Sequence, residues 1–572
     1  MNQPDRLPRY VAPGYASVRM VVDPQRDLAK LNARLTMGAG FLSLAPNRIA
    51  LIDEANVAFE LDPKDDILRI PRVSVFSGPA RLIFGASASL PDASEPIRIA
   101  GRIAGAVLPA AAWNNKRYRL NDGVLNASID TQAGKLLLTG FTLKGPAGSA
   151  SLAGTAELTG PSAGIALALS FDDAPIEFGR ALWPGFITPK VLNWIDANMS
   201  GGIVGPGTLR VALPLDHIGE RGRNRVLPSY ALEGSIAFRG ARFTPLENLP
   251  VIEEAVGRID LANATATITL DAGKADLGQS GKLDAAGTVF TIPELGDPDV
   301  GGSLALRLAG PAAALAKASD AGPLNVATGR GIEAADLTGT ADLQLTADIP
   351  LNRPSLSPDD ILPQFRLALR NFSSRNPING RSIEAANIVL EGEPDAYTVT
   401  GTATLDGIPA ELNVDAGVDG AASGVTLTLD DAARRDFGFD LGAMLTGPVV
   451  VATSDPPEAK SQRSKVDLAK ARISLPFLGW EKGPGVPATA KFVLTKSGGI
   501  ARIDDFALAG QGFRVDGSAS IDKSGQIREL NLKHVALRPG DEFSIDVVRA
   551  GKGYRVSAKG AAFDARGLIN GA

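Results

Sequence analysis

The chain has 572 residues, 58 basic against 63 acidic side chains for a formal charge of −5, no cysteine, and 44% apolar residues with only 5% aromatic. That length exceeds what one hydrophobic core usually organises, and the apolar share is that of a folded chain. Without thiols there are no disulfides, thiolate nucleophiles or Cys-type zinc sites, and the scattered basic residues form no phosphate-neutralising stripe, so nucleic acid is not an expected partner.

The N-terminus, Met1 to Arg6, lacks the apolar core of a signal peptide. No apolar run approaches the roughly eighteen residues of a membrane helix; the best covers 104–113. Period-two alternation then governs most of the chain. In a first region, 1–222, Val73-x-Val75 and Gly78 lead to Gly85, and Phe141-x-Leu143-x-Gly145 leads to Gly154. Each reads as a hairpin whose second strand opens on glycine and small residues. A helix is expected over 189–199, capped by Thr188, stapled by Ile187 and Leu192, with Val191, Trp194, Ile195 and Met199 as its apolar stripe. Leu209, Val211 and Leu213 continue the alternation.

A polar stretch near 216–228 opens a middle region, 223–330. A short helix is expected over 250–256, stopping at Gly257, and another over the Ala-rich 311–318. Between them Ala264, Ala266, Ile268 and Leu270 alternate with Thr265, Thr267 and Thr269, and Leu304, Leu306 and Leu308 repeat the pattern. The stretch 319–335 is a second boundary candidate. The third region, 331–572, begins with the clearest strand, where Ala341, Leu343, Leu345, Ala347 and Ile349 interleave with Asp342, Gln344, Thr346 and Asp348. The hairpin motif returns at Ile388-x-Leu390-x-Gly392 before Gly401, and at Phe506-x-Leu508-x-Gly510 before Gly517. A solvent loop is expected over 453–463. The whole reads as mainly β: an elongated body of repeated antiparallel amphipathic strands, roughly 35 to 45 of them, with a few short helices, and an ordinary sandwich closed on itself would explain the alternation as well as a rolled or groove-like sheet.

No motif supports ordinary catalysis. The two histidines stand apart: His217 in a polar loop, read as exposed, and His534 on the parity of Leu530 and Leu532, read as partly buried. There is no nucleophile elbow, zinc-binding H-E-x-x-H or P-loop; Gly278-Gln279-Ser280-Gly281-Lys282 lacks the spacing and the following hydroxyl. The pairs Asp172-Asp173, Asp359-Asp360 and Asp430-Asp431 read as turn residues, and Trp183, Trp194 and Trp480 as packing residues. Neither a metal nor a cofactor is expected, and the chain is read as a non-enzyme.

Several segments together resemble the YhdP-type branch of the AsmA-like family of bacterial envelope proteins. They are Leu182-Trp183-Pro184 through Pro189, Trp194, Asn198 and Gly201-Gly202; Tyr230-Ala231-Leu232-Glu233-Gly234 with Phe243-Thr244-Pro245 and Leu249-Pro250; and Leu427 to Arg434 with Gly447-Pro448-Val449, leading to Leu475-Pro476-Phe477-Leu478-Gly479-Trp480. The resemblance implies a long rolled sheet whose apolar groove carries phospholipid between inner and outer membranes. It also implies a periplasmic location, with inner-membrane anchoring by a segment this sequence does not contain, so that the chain is expected to be an internal portion of a longer protein. Protein partners are not identified. On this reading Ile268, Leu270, Leu343, Leu345 and Ile349 are candidates for lining the groove, because small aliphatics with few aromatics suit acyl chains. A structural or assembly β-repeat protein without ligand, and a carbohydrate-active β-solenoid, are the competing classes.

Overall fold

Alternating side chains let a strand bury one face and wet the other, and this chain uses that device from end to end. The computed structural model describes residues 9–562 apart from several segments, the longest being 110–116, 180–197, 218–225, 352–360 and 417–423. Forty strands form among the described residues, with two α-helices, α1 (Ala312–Ser319) and α2 (Asp431–Asp436). About 34 of the strands join one antiparallel sheet. Two small three-stranded sheets stand beside it: one from Arg9–Val11, Gly40–Ala45 and Arg48–Ile52, the other from Leu445–Thr446, Arg472–Leu475 and Trp480–Lys482.

The large sheet starts at Gly14–Val22, which pairs with Leu28–Met37, and ends at Gly553–Ala562, which pairs with Glu542–Ala550. Pairing closes into a ring at one place: Thr265–Asp276 bonds both Lys282–Asp284 and Val289–Ile292, and both of these bond Gly301–Pro311. Elsewhere neighbours follow chain order and the two outermost strands stay apart. The accessible surface is 32992 Å², whereas a compact chain of this mass would expose about 19,000 Å². The excess belongs to an extended sheet with a largely open face.

Antiparallel neighbours make successive connections alternate between the two long edges of the sheet. The excursions after Met37, Pro109, Phe171, Pro311, Leu429 and Asp467 all follow strands running the same way, so they share one edge, here called the upper edge. Both small sheets and both helices belong to them. The lower edge carries mostly tight turns, such as 131–134 and 394–395, with longer connections over 215–231 and 351–363.

The hairpin motif in the sequence corresponds to bulged pairs. Register shifts occur between Ile503 and Phe506 and between Glu384 and Asn387. Beside them Gly517 and Gly401 pass so close to the neighbouring strand that a Cβ would collide with the carbonyl oxygens of Asn531 and Asn387. Bulges raise twist and bend a strand, so their recurrence coils the sheet.

Two of the expected helices can be compared with the structure. The 311–318 helix is present as α1. The 250–256 helix is not: these residues enter the strand Ile252–Ala262. Ile252 and Ala255 are both buried, but their helix-like spacing comes from a bulge at Glu253–Glu254, where Glu254 has φ 54°. One extra residue turns a spacing of two into three. The 189–199 helix falls almost wholly outside the described residues, although Met199 lies in the strand Met199–Ser200 against Phe243. Pairing also runs straight across the 222/223 and 330/331 boundaries, through Ile203–Pro214 with Leu232–Phe243 and Gly301–Pro311 with Leu337–Pro350.

Candidate apolar groove

Residues directly opposite in neighbouring strands point to the same face, so register shows what each face offers. One inner row runs Ala16, Leu35, Val57, Val73, Phe84, Ile103, Gly123, Leu143 and Ala150. It continues through Phe171, Gly207, Ile236, Ile259, Ile268, Phe290, Leu304 and Ala347. Every member is apolar or glycine. At about 4.8 Å per strand the row is on the order of 75 Å long. A neighbouring row carries the face onward through Leu308, Leu343, Leu367, Leu390, Val399 and Val414. A third runs Ala410, Leu427, Val451, Val466, Ala490, Leu508, Val515, Val535 and Phe543. The inner face is thus apolar along the length of the sheet.

The outer face is its opposite. Its row includes Thr142, Ser151, Ser170, Thr208, Ser235, Asp260, Thr267, Thr291, Ser303 and Asp348. Exposed pairs such as Lys135–Glu157 at 2.8 Å, Arg307–Asp342 at 3.4 Å and Arg366–Glu391 cross its strands. Hydrogen bonds from the Ser235 hydroxyl and Arg258 hold Asp260 below the usual carboxylate range, with burial opposing them. Arg239 does the same to Asp173, and Lys282 to Asp276.

Burial varies across many of the strands. In these the inner side chains are packed near the upper edge and half-buried toward the lower, whereas Ala347 and Ile349 are buried near the lower edge and the end strands Gly14–Val22 and Gly553–Ala562 are exposed throughout. Phe513 and Val515 are buried while Ala519 and Ile521 of the same strand are not; Ile408 and Ala410 are buried while Leu412 and Val414 are not; Leu143 is buried while Leu136 and Leu138 are not. The upper cover explains this gradient. Helix α1 sets Ala314, Leu315 and Ala318 against Leu337 and Ala341. Leu468, Ala471, Ile473 and Trp480 cover Ala488 and Phe513, with Trp480 edge-on to Phe513 at 4.9 Å between ring centroids. The result is a trough roofed along one edge and open along the other.

Of the expected lining residues, Leu343 and Leu345 are half-buried and face inward, and Ile349 is buried near the lower edge; Gln344 and Asp348 are exposed on the opposite face. Ile268 is half-buried and Leu270 is only 4% exposed, both in the packed middle of the sheet. Two strands, Val289–Ile292 and Gly301–Pro311, separate them from Leu345. Phe365, opposite Leu345, and Tyr397, 6.0 Å from the Phe365 ring, join the lining. Sequence alternation marks them as inward-facing but does not show that they meet.

The remaining chemistry-bearing residues have local duties. His217 is not exposed as expected: its ring is 15% exposed and lies 2.8 Å from Asp216. His534 is half-buried, but a bulge between Leu532 and Val535 turns Val535 inward and pairs His534 with Asp516. Asp430 accepts from the Ala433 amide, and Asp431 accepts from Arg434 and the Gly447 amide. Asp359-Asp360, Trp183 and Trp194 lie outside the described residues. No group of three or more potential metal ligands occurs among the described residues, and none of their helices is long and apolar enough to cross a membrane. No family model matches the chain, and no curated protein matches it.

Proposed function

We propose that this chain binds phospholipid by its acyl chains along the inner face and conducts it between the inner and outer membranes of a bacterial envelope. The observation carrying this reading is the apolar inner face, half-buried along much of its lower side. Exposed apolar patches beyond a few hundred Å² are rarely left bare on a soluble surface. Each methylene that such a face removes from water contributes about 0.8 kcal/mol. Apolar rows without fixed polar partners suit a mobile chain, because no hydrogen bond must break for it to slide. The polar headgroup would remain at the open lower side. The envelope location and inner-membrane attachment rest on the resemblance to the AsmA-like family.

Photo-reactive residues placed singly at positions 344 and 345 test the reading in the intact protein. Phospholipid adducts, identified by mass spectrometry, are expected at 345 and not at 344. Equal labelling at both, or none at either in a folded protein, overturns it and leaves a β-repeat scaffold without ligand.

A further inference from the structure

The trough is not uniformly open. Leu227 precedes the strand Leu232–Phe243 and Leu295 follows Val289–Ile292, and the three spacings between these strands make about 14 Å of flat lower edge. Yet the Leu227 amide donates to the Leu295 carbonyl at 2.9 Å, and the Leu295 amide donates to the Ala264 carbonyl at 2.7 Å. The Leu295 bond continues the pairing of Ala266 with Ile292, and the segment leading into Leu232–Phe243 reaches across the lower edge to meet it at Leu227. Leu295 and Ala231 are fully packed with Leu209, Val211 and Leu213 in a lower cluster, and Leu227 packs against it. That cluster meets the upper one, which contains α1, through Ile259, which packs against both. Side chains packed from the two edges meet in this section, where Leu209 and Leu270 are buried and Ile259 and Ile268 half-buried. On either side, Leu152 and Leu306 are half-buried and pack in neither cluster.

We infer that this strapped section is a gate dividing the apolar face into two compartments, and that acyl chains cross only when the strap lifts. The inference rests on the conduit reading above. Lifting the strap requires breaking its own few hydrogen bonds and exposing its own side chains, while the ladder bonds of the sheet stay intact. Such local opening lies at the low end of the free energies available to a folded chain.

The chain has no cysteine, so Leu227→Cys/Leu295→Cys provides a single lockable pair. Donor vesicles of phosphatidylglycerol and phosphatidylcholine carrying a fluorescent phospholipid are held at the N-terminal end, with unlabelled acceptor vesicles at the C-terminal end. Transfer through the oxidised pair is expected to fall at least tenfold, and reductant to restore it. A second variant, Leu227→Ser/Leu295→Ser, loosens the strap and should raise transfer several-fold. Equal transfer in oxidised and reduced forms, or an unchanged rate in the serine variant, overturns the gate and leaves the conduit standing. No transfer by the unmodified chain, with no lipid adduct at 345, overturns the conduit and the gate with it.

Discussion

The Lys482 ammonium donates to the Leu468 carbonyl oxygen across 2.6 Å, in a site where the lysine is only 2% exposed. It donates equally closely to Ala471, at 2.6 Å. A buried cation solvated by backbone carbonyls ties the small upper sheet to the segment 468–471, beneath the roof that Trp480 completes. Lys482→Met should keep the aliphatic stem and leave these carbonyls without their donor, at a local cost of about 1–3 kcal/mol. Amide hydrogen exchange at Ala471 and Ile473 reads this directly; protection equal to that of the unmodified chain would show the contact to be idle.

Burial holds the Lys482 ammonium below the ordinary lysine value of 10.5, with the charge of Asp467 pulling the other way. The folded chain therefore releases this proton at lower pH than the unfolded chain. Between the lowered value and 10.5 the unfolded chain binds more protons, so the lysine's contribution to stability rises with pH across that window. The difference in local exchange between the unmodified chain and Lys482→Met should widen over the same window. A difference independent of pH would mean that the ammonium is not perturbed.

Arg434 is buried, donating to the carbonyls of Leu445 and Gly447 and pairing with Asp431. Arg434→Met should loosen 431–447 by about 2 kcal/mol, since charged donors to buried carbonyls are worth more than neutral ones. Arg434→Lys should recover only part of this, because an ammonium lacks the planar fork that reaches both carbonyls. Limited proteolysis within 431–447 distinguishes the three chains, and equal cleavage rates would refute the role.

Gly401 has φ 136° and lies against the Asn387 carbonyl. Gly401→Ala should destabilise its hairpin by about 1–3 kcal/mol through backbone strain and the forced displacement of the neighbouring strand. Reduced exchange protection confined to 383–405, with the far ends of the sheet unaffected, is the expected pattern. Full protection there would argue against close approach at this glycine.

A charge on the inner face should act differently from one on the outer. Leu345→Glu places a carboxylate in the row of Leu306 and Phe365, whereas Gln344→Glu places it in water beside Arg307 and Arg366. Phospholipid bound per chain should fall several-fold in the first and stay unchanged in the second, with both circular dichroism spectra mainly strand. Equal lipid content in the two variants would separate lipid binding from this face.

The two-sidedness of the sheet was legible in the residues themselves. Alternation at Ala341 to Ile349 states which side chains share a face, because a strand's period of two is set by backbone geometry and needs no partner. The helix at 312–319 was legible for the same reason, since an Ala-rich run favours that period locally. What alternation could not carry is register. Ile252 and Ala255 imitated a helix because a bulge, visible only against the paired strand, had inserted a residue between them. Leu270 and Leu345 belong to identical sequence patterns, yet one is sealed beneath packed neighbours and the other faces the open trough. That difference arises from contacts between residues far apart in the chain, such as the cluster that Leu270 shares with Ala314 and Leu315 of α1. Local periodicity specifies a face; long-range packing specifies where that face is covered and where it is left uncovered.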